Sequence, residues 1–465
     1  MRRALVLAVS LATGLGLAVP TARAHGGRPQ TYDVLFGASD ADLVVPGTFG
    51  VMASRDGGAH WDWLCIEGMP DAVRGWMRPA ARAADDTVLF AQSFGLVLGR
   101  DRACRSSYEA TLEGHFVTDV VVRPDGGLAA IRSDGDGQDR VFVASGPSEA
   151  FAPAGDPFPA GFLAERIRYA PARAGRVYVS GQTMIVGTSS WAGWLLVSDD
   201  GAATFRAIEV PLESDETVLR LLAVDPADAD HLFAVAQAST SDRLIEIGGA
   251  GDTQASVLVI DAAAIAVSRP FGLGFASDGS VWLGNTLAGL YVIPAGGGEP
   301  QSVDKYLRVA CVVPRGDDVY LCGDGLDDDF ALGVQRVGEA YAPRAVMTFA
   351  QLTEPRRCGT PLDAACREWW NDLLIDTGRA ALVPDADVPD GAAAPASDAA
   401  VAFDAGAAAF DAATPSDAPR AGCACRAGPG ARASTSLLSL ALLALVAGLR
   451  RSRRARRRPA CRPSS

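Results

Sequence analysis

Residues 54–61 read SRDGGAHW, and residues 198–205 read SDDGAATF. The first follows two apolar runs (residues 43–45 and 51–53) and precedes a third (63–66). The second follows another apolar run, residues 194–197. Gly57 and Gly58 supply the positive φ angles that a tight hairpin needs, so two strands should meet at this point. The Asp56 carboxylate can accept turn N–H groups, and the Ser54 hydroxyl can bond locally. Trp61 then starts the return strand with a large side chain to bury. In the second copy Ser198, Asp200, Gly201, Thr204 and Phe205 stand at the matching places.

The two stretches begin 144 residues apart, which is three units of 48. Degenerate versions fall between them: GRDRACRSSY from residue 99 keeps Asp101, and SGPSEAF from residue 145 keeps Ser145 and Phe151. Spacing places further hairpins after Ile245, Leu290-Tyr291 and Val334. From 54 to 334 is 280 residues in six steps, about 47 per unit. Residues 31–345 otherwise read as short β segments broken by Gly, Pro and Asp, such as 88–92, 117–122, 219–224 and 319–322. A unit of that length accommodates one four-stranded blade, and a ring of such blades leaves few edges exposed.

The motif resembles the Asp-box, or BNR, repeat of β-propellers: Ser, any residue, Asp, a Gly-rich pair, then an aromatic. The matching positions are Ser54, Asp56, Gly58 and Trp61, then Ser198, Asp200, Gly201, Thr204 and Phe205. The resemblance implies an all-β fold, a single β-propeller of about seven four-stranded blades, with six or eight still open. Residues 32–36 are expected to complete the last blade's sheet and close the ring. The resemblance also implies that the boxes are structural, because in such propellers they sit away from the axial faces that bind ligands.

The ends of the chain differ from this body. Residues 1–24 carry Arg2-Arg3, an apolar run and Ala22-Arg23-Ala24, which reads as a secretory signal. Residues 363–376 (DAACREWWNDLLID) can be helical and form part of a closing segment, 346–378. An exposed Trp369-Trp370 pair could instead be a ligand platform. Residues 379–421 are a stalk of Ala, Pro, Asp and Gly with too few apolar side chains to order. The chain ends with GCACRAGPG from Gly422, an apolar run at 437–449 expected as a helix, and an arginine cluster from Arg450. This end resembles the MYXO-CTERM sorting signal of myxobacterial surface proteins, which implies surface anchoring through Cys423 or Cys425.

The formal charge of −13 conceals an asymmetry. Without the thirteen arginines of residues 1–24 and 422–465, the body holds 29 basic against 55 acidic side chains, a net −26. So acidic a body repels phosphate backbones, and nucleic acid is a poor partner. The expected protein is a monomer that meets the membrane through its C-terminal segment and binds a glycan, a peptide or a surface protein.

Export allows disulfides. Spacing suggests Cys311 with Cys322 across a hairpin, Cys358 with Cys366 around a short loop, and Cys65 with Cys104 between the first two blades. Six cysteines allow fifteen connectivities. No two of the four histidines are close in sequence, so a metal site is not expected. Two acidic loops, SDGDGQD (133–139) and DGLDDD (324–329), invite a calcium reading, but neither has the EF-hand spacing. Sialidases share the repeat and would imply a glycoside hydrolase. Their Arg-Ile-Pro signature is missing here, and Arg166-Ile167-Arg168 is the nearest approach. Binding is therefore the first reading, hydrolysis the second and a passive envelope role the third.

Overall fold

The computed structural model describes residues 29–65, 79–238, 242–250, 256–259 and 271–379. The expected signal segment, the stalk beyond residue 379, Cys423, Cys425 and the apolar C-terminal run lie outside them. Among the described residues no helix is long and apolar enough to cross a membrane.

Seven antiparallel sheets follow one another along the chain, at residues 35–65, 80–108, 117–154, 162–210, 216–259, 271–304 and 311–347. Each has four strands in sequence order, and the innermost strands of successive sheets pack side by side. The protein is a seven-bladed β-propeller. All three hairpins placed by spacing alone fall between the third and fourth strands of blades five, six and seven.

Strand alternation explains how the blades cohere. In Val88–Gln92 every residue is buried. Val88 and Phe90 pack against blade one, while Leu89 and Ala91 pack against blade three. A strand covered on both faces has no polar face to show, so these strands read as unbroken apolar runs rather than alternating ones. Seven apolar clusters occupy the seven interfaces between blades.

The largest cluster fills the seam between the last blade and the first. Here the structure corrects the expected closure. Leu35–Phe36 is the inner strand of blade one and pairs with Leu43 and Val44, not with blade seven. Blade seven already takes its four strands from one continuous stretch and has no vacancy. The free edge is the outer strand of blade one, Trp61–Cys65, and Leu352–Pro355 pairs parallel to it as a fifth strand. The chain then forms helix α1, Leu362–Asp376, one residue longer than expected. Trp370 of α1 packs on Trp63 at 5.5 Å between ring centroids, and both Trp369 and Trp370 join the seam cluster. The double Trp is thus partly buried packing rather than an open platform.

Two of the three expected disulfides are also corrected. Cys311 pairs with Cys322, directly opposite on adjacent strands. Cys65, however, pairs with Cys366, and Cys104 with Cys358. The cause is the path of the added strand. By running beside Trp61–Cys65 it carries α1 under Cys65 and sets the preceding loop against Cys104. The helix turns Cys366 fully inward, away from Cys358.

These bonds close loops of 301 and 254 residues, against 11 for Cys311–Cys322. In the chain-entropy picture a long loop contributes about 5 kcal/mol and the short one about 3 kcal/mol. Replacing Cys65 and Cys366 together by Ser should therefore cost more stability in denaturant unfolding than replacing Cys311 and Cys322. Non-reducing peptide mapping should recover Cys65 linked to Cys366, and a Cys358–Cys366 peptide would contradict this account.

Candidate functional site

Because strands alternate in direction, each blade's first and third turns lie at one end of the ring. The second turns and the links between blades lie at the other. The two sequence motifs occupy the first end. Ser54 Oγ donates to Asp56 Oδ1 at 2.9 Å and accepts the Gly58 N–H at 2.9 Å. Asp56 Oδ1 accepts the His60 N–H at 2.9 Å, and Asp56 Oδ2 meets His60 Nδ1 at 2.6 Å.

The second turn repeats the pattern. Ser198 Oγ donates to Asp200 at 2.8 Å and accepts the Ala202 N–H at 2.9 Å. Thr204 donates to Asp200 through its N–H at 2.8 Å and its hydroxyl at 2.6 Å. These bonds hold both carboxyls down at about 2, through His60 first at Asp56 and through Thr204 first at Asp200. Gly57, Gly58 and Gly201 take the positive φ the turns require. Trp61 is buried at the seam, and Phe205 packs edge-on against Phe158. The carboxylates are engaged by their own turns.

The opposite end looks different. Nine large apolar side chains stand exposed among the described residues. Seven of them lie here: Phe94, Phe116, Met184, Ile185, Val186, Leu287 and Tyr306. Val186 is 96% exposed and Tyr306 80%. The Lys305 ammonium sits over the Tyr306 ring at 5.0 Å.

Both acidic loops are at this end too. Asp134, Asp136 and Asp139 gather within 4.8 Å, but their oxygens have partners. Asp139 accepts the N–H groups of Asp134 and Gly135, each at 2.7 Å. Asp134 accepts the Phe116 N–H and meets His115 and Arg132, and Arg132 also reaches Asp136. In the other loop, Asp324 accepts the N–H groups of Leu326 and Asp327 and meets Arg308. Each loop is thus a self-bonded turn with an arginine at its centre, a poor donor set for a hard cation.

Along the axis runs a channel of about 530 Å³, lined from all seven inner strands. Five arginines reach it, of which four are ion-paired, Arg82, Arg168 and Arg315 at 2.9 Å or less. Arg82 holds Asp42 and Asp86, Arg168 holds Asp119 at 2.7 Å, and Arg315 holds Asp40. Asp119 also accepts the N–H groups of Val120 and Ile167. Among the described residues Arg166 donates to the backbone oxygens of Thr118 and Glu165 alone, and burial lowers its guanidinium to about 10. Arg220 reaches Glu165 at 3.5 Å. Asp33, enclosed by the wall, accepts the Val34 N–H, and burial lifts its carboxyl to about 7.

None of these channel groups stood out in the sequence as a site. In sequence, Arg166-Ile167-Arg168 reads only as an imperfect Arg-Ile-Pro signature. Its alternation was the available signal, since Ile167 faces the core and the arginines flanking it face the axis.

No family model matches the chain, and no curated protein is similar to it. Among solved structures, it is similar to an ancestral GH74 enzyme at 12% identity. That match covers 69% of this chain and 47% of the other, with a TM-score of 0.51. The extracellular domain of a one-component system from B. thetaiotaomicron is similar at 13% identity, covering 72% and 43%, TM-score 0.44. The GH74 xyloglucanase from Xanthomonas campestris is similar at 16% identity, covering 66% and 53%, TM-score 0.44. The chain spans about half the length of these proteins or less. The likeness is one of fold: the propeller. Independently, three disulfides suit a body that folds in an oxidising compartment outside the cytoplasm.

Asp33 gives a pH test of the channel. Its carboxyl titrates near 7 in the fold and near 3.8 when unfolded. The folded state therefore holds a proton that the unfolded chain has lost, and this contribution to stability falls as pH rises from about 4 to 7. Asp33→Asn keeps the acceptor and removes the charge. It should raise Tm by a few degrees at pH 8 and leave it nearly unchanged at pH 4. Equal Tm values at pH 8 would mean that Asp33 is solvated.

Proposed function

We propose that this is an exported, surface-displayed propeller that binds a polypeptide partner across the loop-bearing end of the ring. The carrying observation is the segregation of exposed apolar side chains, seven of nine at that end. The seven come from blades two, four and six and from two links, and apolar groups concentrated at one end of the ring make that end the candidate interaction surface. The exposed tip Met184-Ile185-Val186 is aliphatic, which suits a protein surface, while Phe94, Phe116 and Tyr306 leave rings on which a glycan could stack.

The repeated bonding of the two turns supports reading them as Asp-boxes. The terminal Cys–apolar–Arg order supports a MYXO-CTERM type of surface anchor through Cys423 or Cys425. Glycoside hydrolysis is the second reading, favoured by one observation. Asp33 holds its proton near neutrality, as a general acid must, and Asp119 lines the same channel. Against it, both Asp119 oxygens are already engaged.

Purified protein should be screened on peptide, surface-protein and glycan arrays. The triple variant Ile185→Ser, Val186→Ser, Tyr306→Ala should weaken the binding found at least tenfold, while Asp200→Asn at the other end should not. Equal binding by the triple variant would reject this face, and signal confined to glycans would change the partner class. Release of reducing sugar from polysaccharide would support the second reading.

Anchoring has its own test. Deleting residues 422–465 should release the body into the medium, and so should Cys423→Ser with Cys425→Ser. Full surface retention of the double variant would leave a plain membrane helix as the anchor.

A further inference from the structure

We infer that the axial channel is a binding site for a small oxyanion that also carries a hydroxyl or ammonium donor, held by Arg166, Arg220 and Gln237. The site lies inside the ring and opens toward the end that carries the apolar loops.

Two observations point to a ligand. The first is a pair of incompletely satisfied cations. Arg166 makes hydrogen bonds only to two carbonyl oxygens, and the Nε of Arg220 is buried with no hydrogen-bond partner among the described residues. Arg220 stands close enough to help lower the Arg166 value, after burial and alongside Arg168. An oxyanion between them relieves that repulsion and matches the planar fork of either group.

The second is Gln237, only 2% exposed, whose Oε1 has no hydrogen-bond partner among the described residues although it lines the channel. A buried acceptor left unpaired is costly. It calls for a donor, which a simple anion lacks. Strand register brings the two features together. Val218 pairs with Gln237 and Arg220 with Val235, so Gln237 and Arg220 are diagonal neighbours on one face of blade five. Gln237 is one residue from the end of Leu232–Ala238, at the loop-bearing mouth.

The neighbouring carboxylates are partly committed elsewhere, although Asp119 and Glu165 act on Arg166 by charge and Arg166 acts on Asp33. Arg168 and Asp119 are matched to each other at 2.7 Å. Glu165 accepts from Arg220 through one oxygen at 3.5 Å and from Gln182 through the other at 3.2 Å, so Arg220 is only weakly paired. The volume, about 530 Å³, lies within the range of small-molecule sites.

The test is calorimetric titration of the purified whole chain with four probes: lactate, glycerol 3-phosphate, propionate and lactamide. Lactate or glycerol 3-phosphate should bind saturably, and which one binds tighter identifies the oxyanion. Propionate, lacking the hydroxyl, should bind roughly tenfold more weakly than lactate. Lactamide, lacking the charge, should not bind.

Arg166→Gln and Gln237→Leu should each weaken the preferred probe at least tenfold, and Gln237→Leu should also erase the preference for lactate over propionate. Should Arg166→Gln fail to fold, Arg166→Lys keeps the charge, loses the fork and should still weaken binding several-fold. No saturable binding by either anion would overturn the assignment. So would equal binding of lactate and propionate, or full affinity in the folded variants.

Discussion

A ring made from one chain has a single interface that sequence order does not supply, and everything else depends on closing it. Six of the seven blade contacts join neighbours that follow directly in the chain. The seventh joins blade seven to blade one and must be made by residues some 300 apart. Trp61 does this with one indole N–H, shared between Gly58 O at 3.1 Å and Val346 O at 3.3 Å. Gly58 is glycine for the same reason, since a Cβ there would lie 2.6 Å from Val346 O. Thr31 adds hydroxyl contacts to the Gly323 and Ala331 oxygens of blade seven. The fifth strand, α1 and two disulfides then fasten the C-terminal segment to blades one and two. The motif that sets the period thus also seals the ring.

The two ends of the ring differ because their loops carry different constraints. Turns within the motif end must reverse a hairpin in a few residues, and their polar side chains are used in doing so. Links and second turns at the other end also bond their own backbone in places, as at Asp139, Asn285 and Asp324, but they share no single motif. They can expose Val186 or Tyr306 without cost to any blade. Loops whose sequence is not fixed by a shared motif are where binding groups can accumulate.

Much of the architecture was legible because its signals are local. A Ser, an Asp and a Gly-rich pair bond within five residues, and their spacing along the chain gives the blade length. The disulfide partners of Cys65 and Cys104 were illegible for the opposite reason. They depend on where residues 352–376 travel after the last blade, which no local pattern records. The channel was hidden in a third way. Each inner strand contributes only a few residues to it, and those residues are dozens apart. Arg166 and Arg220 look like ordinary polar punctuation until the ring brings them together.

The channel also runs against the charge of the whole. The body is strongly acidic, so its surroundings favour cations, yet the axis is lined by five arginines and two aspartates. Long-range repulsion from surface carboxylates is screened within about 8–10 Å at physiological salt. It sets how fast an anion arrives more than whether it is held. Inside the wall the balance is local, and burying a guanidinium without a matching carboxylate carries a desolvation penalty. Packing alone would fill such an axis more stably with apolar side chains. Arg82, Arg168 and Arg315 offset their burial by pairing within the fold. Arg220 meets its carboxylate only at 3.5 Å, and Arg166 has no carboxylate within ion-pair distance among the described residues, which sets these two apart from the other three.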